Sequence, residues 1–170
     1  MPRPIQPSDR DAIGRFLLRR WNTTAIALDG RMIDAAALPG FIAYAAGVSE
    51  SDRVPADSDI AGLATLLDDA EQSEIVTLDA LPPGNGLGSA LIECAAQRAR
   101  ALGLSRLLTR TTNDNLDALR FYQRRGFRLY RLTAGAIDLE RAADPSIPLI
   151  GRHGIPLRDE IALVRPLDGG

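Results

Sequence analysis

Residues 74–104 read EIVTLDALPPGNGLGSALIECAAQRARALGL. A short apolar run meets Pro82 and Pro83, and glycines follow at 84, 86 and 88. Leu87, Ala90, Leu91, Cys94, Ala95, Arg98 and Leu102 then recur at helical spacing, with Gly103 placed as a stop. Strand, glycine turn and helix together are the arrangement that offers free amides and a helix dipole to an anion, the alternative at this point being a glycine-rich turn with no ligand. The turn is not a Walker A loop, since no Gly-Lys-Ser/Thr follows. Nor is it the dinucleotide G-x-G-x-x-G, since Ser89 fills the last position. All twenty basic residues are Arg and none is Lys, so no lysine is present to hold a triphosphate or to act as an amine nucleophile.

Outward from this segment the elements follow in order. A short strand over 3–6 precedes a helix over 9–20, for which Ser8 reads as the N-cap and Ile13, Phe16 and Leu17 as the apolar stripe. Residues 21–40 read as a loop holding at most a short strand or turn. Runs at 41–47, 60–68 and 73–81 read as three consecutive strands in an antiparallel meander, with 68–72 turning between the last two. The polar segment 48–59 reads as a mobile surface loop. After the glycine helix come a strand over 105–112, a helix over 115–125 closed by Gly126, a strand over 127–134 and a last strand over 160–167.

The chain has 170 residues, 45% hydrophobic and 25% charged, which fits one compact domain spanning 1–170. A net charge of -2 gives no global attraction to nucleic acid or anionic membrane, so small-molecule or protein partners come first. The single Cys94 rules out an internal disulfide and falls on the apolar helix stripe as core filler. The charged first thirty residues lack a secretory core, and no run approaches a membrane span, which predicts a cytoplasmic protein. One His and one Cys do not make a zinc cluster, and no metal is expected.

Two motifs resemble the GNAT superfamily of acyl-CoA-dependent N-acetyltransferases. The family's pyrophosphate motif, Arg/Gln-x-x-Gly-x-Gly/Ala, falls on Pro83–Gly88, with Pro83 where a basic or amide residue is usual. The segment NDNLDALRFYQRRGF is similar to the family's Asn-x-x-Ala-x-x-Phe-Tyr-x-x-x-Gly-Phe, on Asn115, Ala118, Phe121, Tyr122, Gly126 and Phe127. The resemblance implies an α/β GNAT fold, a mixed, largely antiparallel sheet flanked by helices and splayed between its fourth and fifth strands, 73–81 and 105–112. It implies acetyl-CoA as cosubstrate and direct transfer of the acetyl group to a primary amine in a ternary complex. A non-catalytic acyl-CoA-binding module is the alternative reading. The acceptor class, small molecule or peptide, stays open, and the apolar tail IPLIG is compatible with a homodimer contact.

The same resemblance assigns residues. Backbone groups of Asp79, Ala80 and Leu81 would meet the pantetheine arm. Gly84, Asn85, Gly86, Leu87, Gly88 and Ser89 would hold the pyrophosphate, and Asn115 and Phe121 would touch the cofactor. Tyr122 lies on one helix face with Asn115 and Ala118 and would protonate the departing CoA thiolate, a phenol and an alkyl thiol differing by about two pKa units. Glu74 and Asp79 are candidate bases for the ammonium of the acceptor. Strict alternation puts Glu74 on one strand face with Val76, Leu78 and Ala80, and Asp79 on the other with Ile75 and Thr77. His153, Asp159 and Glu160 in the tail are weaker acceptor-site candidates.

Overall fold

The computed structural model describes residues 1–47 and 56–167. Most of the segment expected to be a mobile loop, 48–55, lies outside the described residues. The chain divides into two compact units, 1–104 and 105–170.

The first unit holds β1 (Arg3–Pro4), α1 (Arg10–Trp21), β2 (Ala25–Leu28), β3 (Arg31–Asp34), β4 (Gly40–Tyr44), β5 (Ile60–Asp68), β6 (Gln72–Ala80) and α2 (Leu87–Ala101). Its sheet runs β1-β4-β5-β6, antiparallel throughout. On one face α1 buries Ala12, Ile13, Phe16 and Leu17 against Ile42, Ile60 and Leu63. On the other face α2 lies close to the strands because Gly62 has no side chain: a Cβ there would meet Leu87 at 2.7 Å and Leu91 at 3.1 Å.

Three expectations change. The N-cap position of α1 is held by Asp9, after a 3-10 turn over Pro7–Asp9, and not by Ser8. The Asp9 carboxylate is buried because it accepts from the Gln6 amide (2.7 Å), from both Arg3 terminal nitrogens (2.8 and 2.9 Å) and from the Tyr44 hydroxyl (2.8 Å). The stretch after α1 is an ordered hairpin, β2 with β3, turning on Asp29 and Gly30 in the left-handed region. The third change concerns β6. Thr65 pairs with Thr77 but Leu66 pairs with Ile75, so Val76 is an extra residue, a β-bulge. Directly paired residues share a sheet face, so beyond the bulge the alternation is reversed. Glu74, paired with Leu67, therefore lies on the α1 face with Thr77 and Asp79, while Ser73, paired with Asp68, turns to α2.

That turn builds a clamp. Arg98 of α2 donates from both terminal nitrogens to Asp68 (2.9 and 2.7 Å), and the Ser73 hydroxyl donates to the same carboxylate at 2.7 Å. The Arg98 bonds hold Asp68 below the usual aspartate value, against the opposing effect of burial. Burial acts to raise Asp9, but Arg3, Gln6 and Tyr44 outweigh it and its pKa is also lowered.

The second unit holds β7 (Arg106–Thr112), α3 (Leu116–Gln123), β8 (Arg128–Thr133), α4 (Ala136–Ala143) and β9 (Glu160–Pro166). β9 lies between β7 and β8 and is antiparallel to both. The helix α4 was not foreseen. It starts where the Asp159 carboxylate accepts from the Gly135 amide at 2.8 Å, so Asp159 is a structural cap. Among the described residues of both units, the strands other than the β2-β3 hairpin number seven, largely antiparallel, with helices packed on them. This is the α/β class expected.

Carboxylates with lowered pKa values stabilise the fold above the unfolded value, here 3.8, and that contribution is lost as the pH falls through the folded value. Asp68→Asn should lower stability at neutral pH by about 1–2 kcal/mol and flatten the loss of stability below pH 4. Urea unfolding at pH 7 and pH 3 checks this; identical curves for the two proteins would remove the clamp from the account.

Candidate functional site

In the first unit the candidate residues fall along the last turn of β6 and the start of α2. Gly84 (φ 86°) and Gly86 (φ 81°) take the left-handed backbone that a side chain resists, and an added Cβ would meet open space at both. Space, not packing, borders the turn on the side where a ligand would approach. Gly86 is the N-cap of α2, and the Ala90 amide donates to Gly86 O at 3.1 Å. Asn85 folds onto its own turn: its Oδ1 accepts from the Leu87 amide at 3.0 Å and its Nδ2 donates to Leu81 O at 3.4 Å. Its side chain therefore rigidifies the turn. A depression of about 530 Å³ flanks the turn, with Ala43, Ala61, Leu81, Leu87 and Ala90 among its walls. These features fit a pyrophosphate, for which small walls, open glycines and a helix N-terminus are the usual means of approach.

One residue before Ala80, Asp79 is 7% exposed. Its Oδ2 accepts from the Trp21 indole N–H at 2.7 Å and its Oδ1 from Arg20 Nε at 3.2 Å. Both donors come from the last turn of α1, which ends at Asn22 in the left-handed conformation. The carboxylate thus fastens the end of α1 to the end of β6 and holds Trp21, 41% exposed, beside it. Glu74, 6% exposed, lies on the same face five residues earlier, roughly 15 Å away at the rise of a strand. Between them the Thr65 and Thr77 hydroxyls share a buried hydrogen bond of 2.8 Å.

In the second unit Asn115 caps α3, its Oδ1 accepting from the Ala118 amide at 3.2 Å and also from Arg152 at 2.7 Å. Tyr122 is 7% exposed, its ring edge-to-face with Phe121 and with Phe127, both at 5.2 Å. Phe121 lies under the Arg125 guanidinium, 3.6 Å from the ring centroid. The residue missed in the sequence is Asp114. Buried ahead of α3, it accepts from the Thr112 hydroxyl and from the Arg152 amide (2.7 Å), pinning the tail to the helix N-terminus. Gly151 makes room for it, since a Cβ there would stand 2.2 Å from the Asp114 carboxylate. The glycine that ends IPLIG was the only signal. His153 is exposed on the adjoining turn, and Glu160 faces Arg110 at 3.7 Å. Burial and the charge of Glu93 push the Cys94 thiol up, which suits a packing residue.

Comparison with known proteins follows the same lines. The acetyltransferase (GNAT) family model matches residues 40–127, just over half of the chain. The uncharacterized protein YxbD of Bacillus subtilis (strain 168) is 32% identical over 158 residues, 93% of each chain. An IAA acetyltransferase from Bacillus cereus ATCC 14579 superimposes with a TM-score of 0.69 at 22% identity, over 98% of both chains. A GNAT family acetyltransferase from Elizabethkingia anophelis, solved with acetyl-CoA bound, gives 0.64 at 19% identity, over 98% of this chain and 97% of its own.

The contact at Asp79 can be read optically, because Trp21 is the one tryptophan of the chain. Asp79→Ala should shift its emission to the red and cost about 2 kcal/mol in urea unfolding. Asp79→Asn, which keeps an acceptor oxygen, should restore most of both. Emission unchanged in the alanine variant would show that the indole is held by something else.

Proposed function

The chain belongs to the GNAT family of acetyltransferases, and from that premise we propose that it transfers the acetyl group of acetyl-CoA to a primary amine by direct attack within a ternary complex. The whole of 1–170 serves as one catalytic domain. The observation that carries this reading is the open glycine turn capping α2, where backbone amides and helix dipole favour the same pyrophosphate.

In this scheme the amine nitrogen attacks the thioester carbonyl, a C–N bond forms, the C–S bond breaks and CoA leaves as a thiolate. Tyr122 supplies the proton that the thiolate takes up, and the second proton lost by the amine nitrogen as the amide forms restores the phenol. Glu74 removes the proton of the incoming ammonium through water, and its place on the α1 face, in one row with Thr77 and Asp79, supports that role. Asp79 acts differently. Both of its oxygens already hold donors from α1, so it positions Trp21 and Arg20 as a wall for the acceptor and takes no proton. Backbone groups of Ala80 and Leu81 meet the pantetheine arm, Gly84 to Ser89 hold the pyrophosphate, and Asn115 and Phe121 support the cofactor.

The deciding experiment is a screen of amines, aminoglycosides and peptide N-termini that reads free CoA thiol. Release with at least one amine is expected; CoA binding without thiol release across the panel would make the protein a binding module. On an accepted amine, Tyr122→Phe should lower turnover by roughly ten- to a thousandfold with CoA affinity unchanged. Equal turnover would return the tyrosine to the aromatic core. Glu74→Gln should lose turnover at neutral pH and recover part of it at high pH, where the amine deprotonates unaided. A pH profile parallel to that of the unmodified enzyme would assign the proton elsewhere.

A further inference from the structure

The second unit ends in an edge. Among the described residues β8 is bonded to β9 alone, and all six of its residues are exposed, including Leu129 (60%), Tyr130 (53%) and Leu132 (61%). The free side of an edge strand is a row of N–H and C=O groups that another strand can continue.

The register sorts the side chains. Arg128 pairs with Val164, Arg131 with Ala162 and Thr133 with Glu160, so these three share one face. Leu129 pairs with Leu163 and Leu132 with Ile161, so the leucines share the other. Tyr130 is the extra residue of a bulge. It lies on the arginine face, where Arg106 of β7 covers its ring at 5.7 Å. A strand laid along the free side of β8 that passes over Tyr130 as β9 does meets charge, leucine, charge, leucine, polar.

The charge is of one sign. Residues 118–137 contain Arg120, Arg124, Arg125, Arg128 and Arg131 and no Asp or Glu. Arg120 is paired with Asp117. Arg124, Arg128 and Arg131 have no carboxylate partner among the described residues. Burial, together with the charge of Arg124, lowers the pKa of Arg125, the mark of a basic cluster.

We propose that β8 is a docking edge for an extended acidic segment of another protein, in which Asp or Glu alternates with aliphatic residues. The acids would face Arg128, Arg131 and the Thr133 end, and the aliphatic residues would cover Leu129 and Leu132. Cross-strand pairs of both kinds favour association. A second copy of β8 would set arginines beside arginines, and a nucleic acid would supply phosphates but no partner for the leucines or for the backbone edge.

The probe is a capped, fluorescein-labelled Glu-Val-Glu-Val-Glu peptide, titrated by anisotropy into the full chain at low ionic strength. It should bind roughly tenfold more tightly than the block isomer Glu-Glu-Glu-Val-Val and lose affinity as salt is added. The Lys-Val-Lys-Val-Lys analogue should not bind. Arg128→Glu with Arg131→Glu should abolish binding while the melting temperature and the CoA titration stay as they were. The proposal is overturned if the alternating peptide does not bind, or if the block isomer or a single-stranded RNA binds as well. It is equally overturned if sedimentation shows a dimer that Leu129→Glu with Leu132→Glu dissociates, because the edge would then belong to a second copy.

Discussion

One extra residue in β6 decides which side of the sheet its two ends serve. With Val76 bulged out of register against β5, Ser73 turns toward α2 and Glu74 toward α1, the reverse of unbroken alternation. On the α2 side Ser73 completes the Asp68–Arg98 clamp that holds the last turn of the long helix. On the α1 side Glu74, Thr77 and Asp79 come into one row. A strict strand would have split these carboxylates between two faces. The bulge lets one strand anchor a helix behind it and present acids in front of it.

The other end of β6 is governed by close approach. Gly62 lets Leu87 and Leu91 seat directly on β5, so α2 begins immediately beyond the last residues of β6. Its first amides emerge beside a turn whose glycines face open space. Asp79 then ties the end of α1 to the same strand end through Trp21 and Arg20. The glycine turn and the anchor for Trp21 and Arg20 thus follow one another closely along the chain.

That local coding also explains what could be read in advance. The meander over β4, β5 and β6 and the helices α1, α2 and α3 were legible because each has a clear period and a glycine or turn residue at its end. The bulge at Val76 was not, since an apolar residue there satisfies either register and only pairing with β5 reveals the slip. The roles of Asp9, Asp79 and Asp114 were hidden for a related reason. Asp79 meets donors about sixty residues away, Asp9 meets Tyr44, and Asp114 meets Arg152. Periodicity reports on neighbours along the chain and is silent about such partners. The helix α4 was missed because it has only eight residues, too few to set a period along the chain, and leans on the distant Asp159 for its start.

The central claim is that the amides at the start of α2 hold the pyrophosphate of an acyl-CoA. Amide chemical shifts of the ¹⁵N-labelled chain, followed during titration with CoA and separately with pantetheine, test it directly. Large downfield shifts at Gly86, Gly88 and Ser89 with CoA, absent with pantetheine, are the predicted result. CoA binding that leaves these three amides unmoved, or moves them no more than pantetheine does, would contradict it.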